Sequence, residues 1–133
     1  MRTTTADIRI IIKKALSPFA LPIYYSEDLP LGELETERIV ISASSSEPGN
    51  IWSSCMVTIA LLVPDITSNV ANLSRLYELE KKCLSFFSNS ITYSQNGDYF
   101  LLSLKGEAIE KDDRLRCHSV ILKILFQILN VKN

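Results

Sequence analysis

The stretch CHSVILKILFQILNV, residues 117–131, decides how the rest of this chain is organised. Read as an extended strand, it places an almost wholly apolar set of side chains on one face: His118, Val120, Leu122, Ile124, Phe126 and Ile128. The other face mixes polar and apolar side chains, among them Ser119, Lys123 and Gln127. One apolar face and one mixed face are typical of a long strand that lies with one side on a hydrophobic core.

A helix is the alternative for this stretch, because several apolar residues also recur at helical spacing: Ile121, Ile124, Leu125 and Ile128. The composition favours the strand, since three isoleucines, a valine and Phe126 fall within residues 120–128. Side chains of the β-branched and aromatic types fit a pleated, half-buried surface. We therefore predict a strand, and the choice matters because the strand and the helix point to different functions.

The chain has 133 residues, the size of one domain, and we predict a single domain over residues 1–133. Hydrophobic residues make up 47% and charged residues 22%, which allows a globular protein to bury a real core. The formal net charge of -1 gives no electrostatic basis for binding nucleic acid or an anionic membrane. The first residues lack the apolar core of a signal peptide, and no run reaches the roughly 20 apolar residues of a membrane span. We expect an intracellular protein.

Helix and strand signals follow one another along the chain. Residues 6–16 have helical spacing, and Pro18 ends that helix. Residues 23–25 form a brief strand, and residues 38–43 and 51–63 form a long antiparallel hairpin. A major helix spans residues 68–87, with an apolar stripe made of Val70, Leu73, Leu76, Tyr77, Leu84 and Phe87 and flanked by Cys83.

A second hairpin has arms at residues 91–93 and 99–104 around the turn Asn96-Gly97. Lys105-Gly106 is predicted to break its second arm. The charged run at residues 107–116 then forms either a loop or an extension of the final strand. These elements predict an α+β fold: a mostly antiparallel sheet with a long hairpin, packed by one long helix and one short N-terminal helix.

Residues with catalytic potential are few. His118 is the only histidine and lies on the apolar face of the predicted strand, where a structural role is the more usual one. Its neighbour Cys117 points to the opposite face of that strand, so the two do not form a nucleophile and a base. The cysteines contain no CxxC pair, and the 4 glycines form no phosphate-binding loop. We predict reduced, buried thiols, no enzymatic activity, no cofactor and no metal site.

The order of the elements resembles the tail-terminator (tail-completion, minor tail protein U-like) family of tailed phages and prophages. The early helix is followed by PIYYSEDLP, residues 22–30, and RIVI, residues 38–41, looks like the family's short hydrophobic-Val-Ile strand. LVPD, residues 62–65, ends the strand before the helix that packs across the sheet. A charged loop and a last strand with alternating faces, residues 116–128, complete the resemblance. The serine-rich turn at residues 44–46 and the very apolar end depart from many members.

The resemblance implies a structural function rather than a chemical one. Members of this family form a ring, usually a hexamer, that caps the growing tail tube, stops its polymerisation and joins it to the head connector. The implied partners are further copies of the chain, the tail tube protein and the head-tail connector protein. Neither nucleic-acid sequence recognition nor a membrane is implied. The expected locations are the cytoplasm of a bacterial host during assembly and the virion tail afterwards.

A closed ring needs heterologous interfaces, in which two different patches meet. We predict that one patch lies at the tip of the long hairpin and includes Glu47, Asn50 and Trp52. Trp52 is either an anchor at this interface or a lid on the sheet. A second patch, facing the tube or the lumen, lies in the charged run: Glu110, Lys111, Asp112, Asp113, Arg114 and Arg116.

Two other classes compete with this interpretation. A dimeric binding protein of the type III secretion-chaperone kind fits the size and the pI of about 5.8. That class expects a terminal helix, so the helical alternative for residues 117–131 favours it. A ligand-binding α+β domain with a pocket between the sheet and the long helix is the third possibility. Nothing in the sequence selects a ligand for it.

Overall fold

The computed structural model describes residues 5–26, 36–43, 52–67, 70–88, 91–95, 98–112 and 115–129. In chain order the elements are helix α1 (Thr5–Ala15), a 3-10 turn (Ser17–Phe19), β1 (Ile23–Tyr25), β2 (Arg38–Ala43), β3 (Trp52–Pro64), α2 (Leu73–Phe86), β4 (Ile91–Gln95), β5 (Asp98–Asp112) and β6 (Cys117–Leu129). The strands form one sheet in the order β1-β2-β3-β6-β5-β4. Only β1 and β2 pair in parallel, so the predicted α+β fold with a mostly antiparallel sheet is confirmed.

The final stretch is a strand, β6, and it lies in the middle of the sheet. It pairs over its whole length with β3 on one side and with β5 on the other. The predicted core face is confirmed by four fully buried side chains: Val120, Leu122, Ile124 and Phe126. Fully burying a side chain of this kind stabilises the fold by roughly 1.5–3 kcal/mol. Burial of these alternating apolar side chains therefore stabilises the extended conformation of residues 117–129 in the middle of the sheet.

The long hairpin is also present. Strand β2 pairs with β3 from Arg38 opposite Leu62 to Ala43 opposite Val57. The alternating residues Val57, Ile59, Leu61 and Val63 of β3 are all buried, so this face of the strand lies on the core. The tip of the hairpin, residues 44–51, lies outside the described residues.

Helix α1 packs its apolar stripe on the sheet beside β2. The stripe has the predicted members, all buried: Ile8, Ile11, Ile12, Ala15 and Leu16. The α-helix ends at Ala15, before a 3-10 turn that contains Pro18. Phe19 in that turn is buried, and its ring meets the Phe86 ring of α2 edge-on at a centroid distance of 5.3 Å. The turn therefore connects the two helices on this side of the sheet.

Helix α2 is shorter than predicted and presents a different face to the core. It begins after Asn72, whose side-chain oxygen accepts a hydrogen bond from the backbone N–H of Arg75 at 3.3 Å, an N-cap interaction. The buried residues are Leu76, Leu79, Cys83 and Phe87, spaced three or four apart. The predicted stripe was wrong at four positions, because Val70, Leu73, Tyr77 and Leu84 are exposed. Leu79, which lies between Glu78 and Glu80 in the sequence, and Cys83 take the core positions instead.

The prediction that Lys105-Gly106 breaks the last hairpin was wrong. Strand β5 runs through this point as a β-bulge between Leu104 and Gly106 and continues to Asp112. Before the bulge Leu102 and Leu104 lie on the helix side of the sheet, opposite Phe126 and Ile124. The first part of the charged run, predicted as a loop or as part of the final strand, thus belongs to β5. The bulge provides the extra residue that keeps β5 paired with β6.

Candidate interaction surface

Strand β5 extends well beyond its outer neighbour, β4. Strand β4 pairs only with residues 98–102 of β5, whereas β6 stays paired on the inner side as far as Asp112. Within the described part of the chain, no strand pairs with residues 103–112 on the outer side. An unpaired edge presents N–H and C=O groups that another strand can bind. We call residues 106–112 the β5 edge.

The β5 edge carries charges of both signs on the helix side of the sheet. Glu107, Ile109 and Lys111 lie on this side, since they stand opposite Leu122, Val120 and His118 of β6. Glu107 and Lys111 are exposed, and Ile109 packs partly against the core. Ala108, Glu110 and Asp112 lie on the other face. Charged side chains are a usual means by which a free edge resists indiscriminate pairing. The β5 edge therefore favours pairing with a strand that carries opposite charges at the facing positions.

Two carboxyl groups from different elements meet beside this edge. Glu80 of α2 and Glu107 share a hydrogen bond, and this contact is the main reason that the pKa of Glu80 is raised above its ordinary value. Desolvation and the negative charge of Glu107 act in the same direction. All of these causes raise the pKa of Glu80. Two carboxyl groups therefore lie in contact on the helix side of the β5 edge.

One flank of α2 exposes large apolar side chains next to the same edge. Leu73, Tyr77 and Leu84 are 50%, 54% and 43% exposed. At about 100° per residue these three lie within about 40° of one another around the helix, and Glu80 lies beside them. Because Glu80 contacts Glu107, this flank of α2 faces β5. We call Leu73, Tyr77 and Leu84 the α2 flank.

The structure places the described members of the two predicted patches at opposite ends of the sheet. Trp52 begins β3 and pairs with Leu129 at one end, while Asp112 ends β5 opposite Cys117 at the other. The 13 residues of β3 span about 40 Å at about 3.3 Å per residue, so Trp52 and Asp112 are far apart. Glu110, Lys111 and Asp112 lie in β5, and Arg116 is exposed in the turn that follows, with φ 52. Of the other predicted site residues, Glu47, Asn50, Asp113 and Arg114 lie outside the described residues.

His118 has a carboxylate partner. Its Nδ1 lies 2.6 Å from Oδ1 of Asp65, whose side chain is only 3% exposed. Asp65 Oδ2 is buried with no hydrogen-bond partner, so His118 is the main polar contact of this carboxylate. Cys117 lies on the opposite face of β6, in a small cluster with Leu62 and Leu115, as the strand pattern predicts. The adjacent cysteine and histidine therefore do not meet.

The thiols are poorly placed for chemistry. Burial raises the pKa of Cys55 to about 11 and the pKa of Cys83 and Cys117 to about 12, so the reactive thiolate is scarce near neutral pH. All three are free thiols, as expected for the predicted buried cysteines. Within the described ranges, no group of three or more His, Cys, Asp or Glu residues is arranged to hold a metal ion. No described helix has the length and apolar content needed to cross a membrane.

Among the described residues, side chains fill the space between α2 and the central strands, where the ligand-binding alternative expects a pocket. These side chains include Leu76, Leu79, Cys83 and Phe126, all at most 1% exposed. A groove of about 600 Å³ opens instead at the surface near the start of β2, lined in part by Pro22, Glu37 and Asn72. Glu37 in this groove is held by Arg75 of α2 at 2.7 and 2.8 Å.

Sequence analysis missed the β5 edge and the α2 flank. The charged segment after Gly106 does not alternate in residue type, so its sequence carries no clear strand signal. The signal for the flank was the surplus of apolar residues on α2, more than one buried stripe holds. Neither pattern shows by itself which residues stay uncovered, because that depends on where β4 ends and where α2 lies on the sheet.

Comparison with known proteins adds support for the fold only. No protein-family model matches the sequence, and no curated protein matches it significantly. One solved structure superposes on the chain with a TM-score of 0.62 and 11% sequence identity, covering 95% of this chain and 96% of the other. At this identity the similarity shows that the two chains share a fold.

Proposed function

We propose that this protein is a structural assembly protein of the tail-terminator type, which forms a ring on the end of a phage tail tube and joins it to the head connector. The single observation that carries the proposal is the 13-residue strand β6 at the chain's end. With it, the order of helices and strands follows the order that underlies the resemblance to the family, except that the first part of the predicted charged loop belongs to β5. On this proposal the protein acts in the cytoplasm of a bacterial host and then in the virion tail.

The same strand weighs against the competing class. A dimeric chaperone of the secretion type is expected to end in a helix, and residues 117–129 are extended and paired on both sides. The described part of the chain also offers no constellation of nucleophile, base and oriented partner. A structural function in assembly is therefore the better supported of the classes considered.

The distribution of candidate contacts suits a ring. A heterologous interface joins two different patches of neighbouring subunits and closes into a ring when the rotation between them allows it. Trp52, where β3 begins, and the charged end of β5 lie at opposite ends of the sheet. Two separated contact sites of different character would suit such an interface.

Light scattering after size exclusion, with negative-stain electron microscopy, tests this proposal. We expect a species of about six subunits at high protein concentration or on addition of tail tubes, seen as rings or as caps on tube ends. Trp52→Ser should reduce ring formation if the hairpin tip carries one of the contacts. Thr92→Ala, an exposed position on β4, is the matched control and should leave ring formation unchanged.

A protein that neither forms rings nor binds tube ends at any concentration would overturn the proposal. A constant dimer that captures unfolded client segments would transfer support to the chaperone class. Rings that form equally well with Trp52→Ser would retain the function and remove the hairpin tip from the interface.

A further inference from the structure

The β5 edge is a strand edge with a defined pattern of charge, and it lies beside an exposed apolar flank. Backbone groups along such an edge bind another strand unless something covers them. The pattern is self-complementary: Glu107 and Lys111 lie two positions on either side of Ile109, all on the helix side of the sheet. When the β5 edge of a second copy runs antiparallel to the first, the order of its charges is reversed, so its lysine can face the glutamate of the first copy.

We propose that the β5 edge pairs with the β5 edge of a second copy, antiparallel and about a two-fold axis at Ile109. In this register Glu107 stands opposite Lys111 of the second copy, and Lys111 stands opposite its Glu107. Ile109 meets its own equivalent between these two charge pairs. On the other face Ala108 meets Glu110 of the second copy. The two sheets then form one continuous sheet of twelve described strands.

The register follows from the faces of the strand. Residues directly opposite each other in an antiparallel pair lie on the same face, so a shift by one position is excluded when the helices of both copies lie on one side. A shift of the second strand by four positions in one direction places Glu107 opposite Glu107, and in the other direction Lys111 opposite Lys111. Shifts by two positions place a charge opposite Ile109. Only the proposed register gives opposite charges on the helix side.

The surroundings of Glu107 independently favour a cation at this place. Glu80 and Glu107 share a hydrogen bond on the helix side of the sheet, which brings two carboxyl groups together. In the proposed pair, the ammonium group of Lys111 from the second copy arrives next to Glu107. Leu73, Tyr77 and Leu84 of the α2 flank are exposed on the same side of the sheet. The charge pattern of the edge therefore favours a second copy of the chain as the occupant.

This contact differs from the proposed ring in its symmetry, although it uses Glu110 and Lys111, which also belong to the second predicted ring patch. A two-fold contact joins one patch to itself and does not close a six-membered ring alone. The dimer covers the free edge of the unassembled chain. It requires neither tail tubes nor the tail-terminator function, and different experiments test the two proposals.

Disulfide trapping at the axis tests the pairing. Directly opposite residues in an antiparallel pair have Cα atoms about 4.5–5.5 Å apart, within the range a disulfide needs. Ile109→Cys should therefore form a disulfide-linked dimer under mild oxidation. Ala108→Cys is the matched control, since residue 108 stands opposite residue 110 of the second copy and should stay unlinked. The unaltered protein should also stay unlinked, because its three cysteines are buried.

Charge reversal gives a second readout that does not depend on cysteine chemistry. Lys111→Glu and Glu107→Lys should each weaken the dimer about tenfold in Kd, measured by analytical ultracentrifugation, because each creates two like-charged pairs. The double variant Glu107→Lys with Lys111→Glu restores opposite charges and should recover most of the affinity. Circular dichroism checks that every variant is folded.

Several results would overturn the inference. One is an Ile109→Cys variant that is folded but stays unlinked, and another is linkage through Ala108→Cys, which requires a different register. Equal affinity in the single and double charge variants would also contradict it. If the protein forms rings but no dimer, this inference is wrong and the proposed function stands. If it forms the dimer but no rings, the inference stands and the proposed function is wrong.

Discussion

The two halves of strand β5 have the same inner neighbour, β6, but differ in almost every other respect. The first half, up to Leu104, is covered on its outer side by β4 as far as Leu102 and buries Phe100 and Leu102 at 5% and 1% exposure. The second half, from Gly106, has no described strand on its outer side and carries mostly charged side chains around Ala108 and Ile109. The first half therefore contributes to the core, and the second half leaves its charged side chains largely exposed.

The bulge between the halves makes this division possible. It adds one residue to β5, so side chains beyond Leu104 are offset by one position relative to β6. Glu107, Ile109 and Lys111 reach the helix side, where Glu80 and the α2 flank lie. Without this offset, Ala108, Glu110 and Asp112 would take their place. A single local irregularity therefore determines the chemistry of the edge.

The largest difference between the halves should appear in the free energy of unfolding. Leu102→Ala removes a buried side chain from the core and should cost about 2–5 kcal/mol. Ile109→Ala removes a partly buried side chain and should cost about 1 kcal/mol. Urea denaturation at low protein concentration measures both. Equal losses would show that the second half belongs to the core as fully as the first.

The stability of the sheet at the end of β5 near Asp112 should depend on the Asp65–His118 pair. His118→Ala leaves a carboxylate that is 3% exposed without its partner, which should cost about 1–3 kcal/mol. A double-mutant cycle with Asp65→Ala measures the coupling, expected to exceed about 0.5 kcal/mol. The exposed Lys123→Ala, on the opposite face of β6, should change stability by less than about 0.5 kcal/mol. Additive effects of the two substitutions would show that the pair does not stabilise this end.

The smallest effect is expected at the bulge. A Cβ atom at Gly106 would have no heavy atom within 4 Å, and its φ lies outside the left-handed region. Gly106→Ala should therefore be accepted and should raise stability by about 0.4–1 kcal/mol through the unfolded chain. Thermal unfolding measures the change. A loss of stability larger than about 1 kcal/mol would mean that the bulge requires glycine.

Much of the fold was predictable because the hydrophobic pattern is local. Alternation in residues 117–131 and 57–63 predicted β6 and the inner face of β3, and the Pro18 rule ended α1 at the right place. Charge on the segment after Gly106 was the source of the main error. A charged segment can form a strand when pairing with one neighbouring strand is enough to stabilise it. Whether such a neighbour is present cannot be predicted from the residue pattern of the segment itself.

The exposed apolar residues of α2 show the same limit. Val70, Leu73, Tyr77 and Leu84 have the spacing of a core stripe, yet Leu79 and Cys83 occupy the core. A helix with more apolar residues than one face can hold has several possible orientations on a sheet. The competition between these orientations is decided by the volume that β3, β6 and the Phe19–Phe86 contact leave free.

By itself, the sequence determined the elements, because their alternation and helical periods act over a few residues and large burial energies follow from them. It also determined that Cys117 and His118 lie on opposite faces. Only the tertiary structure decided which residues remain uncovered: the β5 edge, the α2 flank and the meeting of Glu80 with Glu107. These features arise between elements distant in the chain, and their positions depend on how far each strand finds a partner.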